Sequence, residues 1–351
     1  MRYTRVRLAG LAHCPPDEVV SSDNLEARLA PVYDRLRLPA GRLELMTGIR
    51  ERRFYPPGTK PGEISARSAN AALDRAERDH GLKRERVSAL VHGSVCRDRL
   101  EPATACAVHS ACGLPNQSAF VLDLSNACLG VLNGLLFVAD LIEAGRITAG
   151  VAVGTETGRD LVEGTIESLL QDPNTNRADV KAAFASLTIG SGSAAAVLCD
   201  ESLAPSAPRL LGGAVRTDTS HAALCTGGDE LDSAGRPRMT TDSEALLHAG
   251  IALAGETWND FQSELNWTAD TPDHAVTHQV GRAHQKLLFE SLGLDPALDH
   301  PTVGVYGNTG AAALPAAASV AADAGAFATG DKIVWLGIGS GLNCVMLGWE
   351  W

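Results

Sequence analysis

Runs of alternating Val, Ile and Leu interleave along the chain with Ala-rich stretches, a pattern that predicts strands layered with helices. A strand is predicted over 2–12. Helices follow over 22–39, with Ser22 or Asp23 placed to cap the first turn, and over 64–82. A short apolar run predicts a strand over 87–94. The segment 120–145 then reads as a strand, a sharp turn and a long apolar helix ending at Gly145, after which ITAGVAVGTE returns as a strand. The same plan is predicted over 301–325: strand, turn, helix, and a closing Gly325. KIVWLGIGSG follows as a further strand.

The two strand–turn–helix units share a spacing. Cys128 precedes Gly145 by 145 − 128 = 17 residues, and Asn308 precedes Gly325 by 325 − 308 = 17 residues. Superposing the units sets Asn308 where Cys128 stands. This points to an internal duplication of two α/β halves, 1–204 carrying the cysteine and 205–351 carrying His278 and Asn308. The break falls near 200–208, where DESLAPSAP interrupts the apolar pattern with Pro and Ser. A length of 351 residues suits two fused halves, and 45% hydrophobic residues suffice for a large core.

Composition narrows the function. A formal net charge of −12 repels nucleic acid and anionic membranes, so neither is an expected partner. The most apolar run, 121–142, carries Asp123, Asn126 and Asp140, which places it inside protein and not across a bilayer. Eight cysteines form no Cys-x-x-Cys pair and no zinc spacing, and the N-terminus lacks an apolar signal core; reduced thiols in a cytoplasm and no metal site are expected. Arg50, Arg52 and Arg53, with Arg97 and Arg99, are either a basic mouth or solvated surface arginines. There is no Gly-x-Ser-x-Gly elbow and no Walker loop. Gly190-x-Gly192-x-x-Ala195 leads into a strand, unlike a dinucleotide fingerprint.

Cys128 is the main candidate for chemistry. A cysteine at a strand-to-helix turn meets unpaired backbone N–H groups and the positive end of a helix dipole, both of which favour a thiolate. Small neighbours, Ala127 and Gly130, leave room for a substrate. The alternative is an ordinary buried cysteine. His278 follows a short apolar strand, and Asn308 sits at the repeated turn; meeting Cys128, they would supply a nucleophile and two donors for a thioester carbonyl. Taken singly, His278 stands no better than His274 or His284, and Asn308 no better than any turn residue.

Taken together, TGIRERR (47–53), SNACLG (125–130), IGSGSAAAVL (189–198), HQVGRAH (278–284), YGNTGAAALP (306–315) and GIGSGLN (337–343) resemble the thiolase superfamily, in its ketoacyl synthase III branch. The resemblance runs along nearly the whole chain. It implies a duplicated, five-layered αβαβα fold, an obligate homodimer, a triad of Cys128, His278 and Asn308, and an oxyanion hole from the backbone N–H groups of Cys128 and Gly341. It implies no cofactor; a CoA thioester is the substrate. CRDRLEPATA (96–105) places Glu101 before Pro102, as in the head-to-head acyl-CoA condensing thiolases of olefin biosynthesis, where a glutamate reaches the partner's site. LAGLAH (8–13), APVYDRL (30–36) and GIGSGLNC (337–344) look alike too.

That resemblance implies a non-decarboxylative Claisen condensation of two acyl-CoA thioesters to a 2-alkyl-3-oxoalkanoate through an acyl-cysteine. Without decarboxylation, an α-proton must be removed, and a desolvated carboxylate such as Glu101 can do it. From sequence alone, Glu101 also reads as an exposed loop residue. Two rivals remain: a decarboxylating synthase using malonyl-carrier protein, and a subunit of a heterodimer in β-lactone or pyrone biosynthesis. Partners are acyl-CoA, a second copy of the chain, and downstream lipid-biosynthesis enzymes or acyl carrier protein. Stretches 158–185 and 217–239 match no motif and are assigned to substrate choice or the dimer surface.

Overall fold

The computed structural model describes residues 1–231, 236–278 and 280–351. Gln279 of the HQ motif lies outside the described residues, as does the 232–235 portion of the unmatched 217–239 stretch.

In chain order the strands are β1 (Val6–His13), β2 (Glu18–Ser21), β3 (Glu51–Phe54), β4 (Val87–Gly93), β5 (Phe120–Leu124), β6 (Ala149–Glu156) and β7 (Gly192–Asp200). They continue as β8 (Arg209–Thr217), β9 (Cys225–Leu231), β10 (Pro237–Thr241), β11 (His274–Thr277), β12 (Lys332–Gly339) and β13 (Asn343–Glu350). Nine of them pair in the order β11-β12-β13-β8-β1-β7-β6-β4-β5. Two ribbons, β2–β3 and β9–β10, stand apart.

The order carries a repeat. On one side β1 and β7 are antiparallel, β7 and β6 antiparallel, and β6, β4 and β5 parallel. On the other, β8 and β13 are antiparallel, β13 and β12 antiparallel, and β12 and β11 parallel. The two series join where Arg7 of β1 opposes Arg209 of β8.

Strand alternation sorts side chains into layers. Val91 of β4, Ala152 of β6, and Ile333 and Trp335 of β12 face a central helical layer. That layer consists of the helices Gly130–Glu143 and Ala313–Asp323, which bury Leu135, Val138 and Ile142, and Leu314, Ala317 and Ala321. The intervening positions Leu90, Val151 and Val153 face the outer helices Pro61–His80 and Thr104–Ala111. Val334, Leu336 and Met346 face the outer helices Ser243–Leu265 and Arg282–Leu292. Helix, sheet, helix, sheet, helix is the five-layered arrangement that the sequence implied. Because both central helices are covered on two faces, they are apolar nearly all round.

Three local expectations are corrected. The stretch 22–39 is two helices, Ser22–Arg28 and Ala30–Leu36, because Pro31 cannot continue the first and instead opens the second. The cap is Ser21, whose side chain accepts from Asn24 N; Ser22 is buried and donates to the Ile49 carbonyl at 2.5 Å. No strand precedes Asn308. Residues Val303–Tyr306 form a short helical turn, with Val305 N and Tyr306 N donating to the Thr302 carbonyl at 3.0 Å. Gly307 then takes φ +70°, and a side chain there would stand 2.8 Å from the Thr188 carbonyl oxygen. The segment spends its next hydrogen bonds on the other half: Asn308 N donates to Thr188 O at 2.9 Å, and Gly190 N to Asn308 O at 2.8 Å.

The unmatched stretch 158–185 folds largely as the helices Arg159–Gln171 and Arg177–Leu187, which share an apolar cluster with Leu25, Val32 and Leu43. A cavity of about 320 Å³ opens between Met46, Arg42 and Phe184. Arg52 fits neither reading of the arginine cluster. It is fully buried, donates to Ser22 Oγ at 3.1 Å, and is pushed down to about 10 by desolvation. Arg53 lies over the Tyr306 ring at 5.4 Å, while Arg50, Arg97 and Arg99 are exposed.

Candidate active site

The chain between β5 and the central helix turns within Ser125–Leu129. Asn126 adopts φ −149° and ψ 57°, Ala127 takes φ +43°, and residues Ala127–Leu129 form a single 3₁₀ turn before Gly130 begins the helix. A positive φ at alanine is costly, and it persists where surrounding contacts over-determine it. Here they do. A side chain on Gly130 would lie 2.6 Å from the Gly93 carbonyl carbon at the end of β4, and one on Gly93 would lie 2.1 Å from the Gly130 oxygen. Two glycines therefore let the helix start rest directly on the strand end.

Two other turns meet this one. The 3₁₀ turn Gly310–Ala312, just after Asn308, packs against the cysteine turn, as does the end of β12. A side chain built on Gly339 would sit 3.5 Å from Cys128 N. The next residues, Ser340–Leu342, link β12 to β13, with Gly341 at φ +130°. The predicted oxyanion residues, Cys128 and Gly341, thus lie on neighbouring turns from opposite halves of the fold.

His278 continues β11 by one residue, its N–H donating to the Leu336 carbonyl of β12 at 2.9 Å. It is buried, and its Nδ1 has no hydrogen-bond partner among the described residues. Burial, reinforced by the neighbouring His284, pushes it down to about 3, so the imidazole is neutral at physiological pH. Thr277 Oγ1 and Gln285 Nε2 both donate to Asp299, at 3.3 and 2.5 Å, which ties β11 to the helix behind it. Asn308 is 8% exposed; its Oδ1 accepts from Gly310 N at 3.0 Å, which orients its Nδ2 as the remaining donor.

The expected thiolate is not the resting state. Cys128 as a residue keeps some accessible surface, yet its sulfur is enclosed by protein, and that desolvation, with the nearby Glu156 and Cys225, pushes the thiol up to about 12. The backbone hydrogen bond at the turn acts in the predicted direction and loses to burial.

Glu156 is the residue that sequence reasoning missed. It ends β6, is 6% exposed, and accepts from Val95 N at 3.0 Å, Cys96 N at 3.1 Å and Ala311 N at 3.4 Å. It therefore holds the root of the Glu101 loop and the turn after Asn308 on one carboxylate. Burial raises its pKa, and those three donors oppose the rise. The signal was a lone carboxylate closing an otherwise uncharged strand, AGVAVGTE.

Glu101 lies apart. It is exposed, in the loop between β4 and the helix Thr104–Ala111, beside Leu100 at 91% exposure and Val95 at 56%. Within one chain the fold leaves its carboxylate in solvent.

A cysteine turn and its structural repeat, lodged between two sheets, define an acyl-transferring condensing enzyme of the thiolase superfamily. Residues 263–351 match the family described as 3-oxoacyl-[acyl-carrier-protein] synthase III C terminal. The whole chain is 41% identical to the acyl-CoA:acyl-CoA alkyltransferase of Shewanella oneidensis over 358 aligned positions, and 35% identical to that of Xanthomonas campestris over 351, each covering 100% of both proteins. The chain belongs to this acyl-CoA:acyl-CoA alkyltransferase family. Among solved structures, cerulenin-bound Xanthomonas campestris OleA superposes with a TM-score of 0.93 at 35% identity, over 100% of this chain and 98% of that one. An OleA variant with bound lauric acid and lauroyl-CoA gives 0.92 at 34%, over 99% and 100%.

Proposed function

We propose that the protein joins two long-chain acyl-CoA thioesters head to head, without decarboxylation, and yields a 2-alkyl-3-oxoalkanoate. The observation that carries this reading is the full-length match to acyl-CoA:acyl-CoA alkyltransferases in a chain whose cysteine turn faces a second, donor-bearing turn from the repeated half.

In the first half-reaction Cys128 attacks the thioester carbonyl of one acyl-CoA. Because the thiol is protonated at rest, its proton must leave as the S–C bond forms; the neutral His278 accepts it and returns it to the departing CoA sulfur. The N–H groups of Cys128 and Gly341 receive the oxyanion. In the second half-reaction another acyl-CoA enters. Glu101 of the partner subunit removes its α-proton, while His278 and the Asn308 amide donate to the enolate oxygen. The carbanion attacks the acyl-cysteine, the C–S bond breaks, and the thiolate recovers a proton. Hydrolysis of the condensed thioester releases the acid. The reaction requires no resident cofactor beyond these side chains.

A homodimer belongs to this proposal. It would cover Leu100 and Val95 and take Glu101 out of solvent, which the deprotonation step demands. We also propose the division into 1–204 and 205–351; the loop between β7 and β8 and the mirrored strand orders support it. No described helix is long and apolar enough to cross a membrane, and all eight cysteines are free; we place the enzyme in the cytoplasm, handing product to lipid-biosynthesis enzymes.

The match of 263–351 to a carrier-protein synthase family favours one rival, a decarboxylating enzyme fed by malonyl-acyl carrier protein. Purified protein given lauroyl-CoA alone is expected to form the condensed β-keto acid, detected by mass spectrometry after mild extraction. Product that appears only when a malonyl donor is added would establish the rival.

A further inference from the structure

The oxyanion hole described above draws one donor from each half of the molecule, so something must fix the distance between the halves at that point. Asn126 lies two residues before Cys128, and Asn343 lies two residues after Gly341. Asn343 Nδ2 donates to Asn126 Oδ1 at 3.1 Å, and within its own turn to the Ser340 carbonyl at 3.4 Å. Asn126 Nδ2 donates to Asn133 Oδ1 on the central helix at 2.6 Å. Thr217 Oγ1, at the end of β8, donates to Asn343 Oδ1 at 2.7 Å. The result is one chain of hydrogen bonds, Thr217 to Asn343 to Asn126 to Asn133, running from the second half into the first.

We propose that Asn126 and Asn343 are positioning residues that clamp the Cys128 turn to the Gly341 turn and so set the spacing of the two oxyanion donors. Three observations support this. Both amide groups are used at each end, which fixes their orientation as well as their position. The bond also bridges two turns, 125–129 and 340–343, that share no backbone hydrogen bond among the described residues; the backbone links between the halves lie elsewhere, as where Tyr3 N donates to Leu211 O at 3.0 Å and Leu8 N to Pro208 O at 2.8 Å. And the cysteine turn departs from relaxed geometry, with Ala127 at φ +43°, while the facing turn leaves room for the Asn343 amide only because Gly341, at φ +130°, has no side chain: one there would stand 2.6 Å from Asn343 Nδ2. A turn held off its relaxed shape drifts when its tether is cut, and displaced donors stabilise an oxyanion poorly.

The inference rests on the reading of Cys128 and Gly341 as the oxyanion hole, and the experiment separates the two. Full-length protein is mixed with lauroyl-CoA, and acylation of Cys128 is followed by quenched-flow mass spectrometry. The acyl-enzyme carbonyl stretch is recorded by infrared difference spectroscopy with a ¹³C-labelled acyl group. N126A and N343A are each expected to slow acylation by about ten- to a hundred-fold while KM for lauroyl-CoA stays within about two-fold. The carbonyl band should move to higher wavenumber as a donor is lost. The double variant should be no slower than the slower single one, because both changes cut the same bond. T217V, an exposed change at the outer end of the chain, should give a smaller loss in the same direction, and it decides the question if the asparagine variants do not fold. Unchanged acylation and an unchanged band in T217V and in whichever asparagine variants fold would overturn the inference alone, as would a raised KM with intact turnover. Wild-type protein that takes up no acyl group would overturn the reading beneath it, and this inference with it.

Discussion

The sulfur of Cys128 sits between two opposing influences. The N-terminal end of a helix favours a thiolate; enclosure by protein and a buried carboxylate disfavour it, and the thiol ends near 12. Under the proposed mechanism such a site exposes no reactive anion at rest and forms one only when a thioester carbonyl and the neutral His278 are both in place. This has a measurable consequence. Alkylation of Cys128 by iodoacetamide, resolved from the other cysteines by peptide mass spectrometry, should rise about tenfold per pH unit and show no plateau below pH ~10. Glu156→Gln removes a negative charge facing the sulfur, lowers the thiol pKa, and should speed alkylation at pH 9 several-fold. A plateau near neutrality, or equal rates in the two proteins, would show that the carboxylate is not felt at the sulfur. The residues of this site differ in how far the sequence revealed them. Cys128, His278 and Asn308 became candidates because motifs flank them. Glu156 did not, since its role depends on three backbone donors from segments 60 and 155 positions away, a relation no local pattern records.

At the scale of elements, sequence patterning succeeded where a segment's fate is set by its own residues. The strand–turn–helix of 120–145 appears as read, because alternation, a small-residue turn and a helix-ending glycine all act locally. The matching unit at 301–325 lost its strand for a reason outside itself: its backbone pairs with Thr188 and Gly190 across the seam. The crossing of β4 by the start of the central helix belongs to the same class, for Gly93 and Gly130 look like ordinary glycines until their backbones are seen in contact. A Cβ on Gly130 would meet Gly93 C at 2.6 Å and Ser94 N at 2.9 Å, all backbone, with no flexible side chain able to give way. Gly130→Ala is therefore expected to destabilise the fold by about 1–3 kcal/mol and to displace the adjacent cysteine turn. Gly255→Ala is a control: Gly255 is likewise a helical glycine, within Ser243–Leu265, but a side chain there meets only Ser291 Oγ at 3.8 Å, an ordinary contact. Chemical denaturation of both variants checks this, and equal stability in the two would mean that the strand end yields without cost.

For the whole molecule, the proposed mechanism requires an exposed glutamate, Glu101, to reach a buried site. The loop from Val95 to Pro102 is anchored at its root by Glu156 and by Asp98, which accepts from Gly62 N at 2.8 Å, while its tip presents Leu100 and Glu101 to solvent. A firmly rooted loop with an apolar tip is suited to insertion into a second copy, where the carboxylate would be desolvated and its basicity raised. If Glu101 acts in the partner's site, subunits carrying Cys128→Ala and Glu101→Ala should rescue each other. In a mixed dimer the intact cysteine of one subunit meets the intact glutamate of the other, so one of two sites works. Random exchange makes about half of the dimers mixed, and the expected activity is about a quarter of wild type from two parents that are each inactive in condensation. Were Glu101 to serve its own subunit, no mixed dimer would contain a complete site and the mixture would stay as inactive as its parents. The rescue should also depend on refolding or exchanging the subunits together, because pre-formed parental dimers mixed without exchange contain no complementary pair.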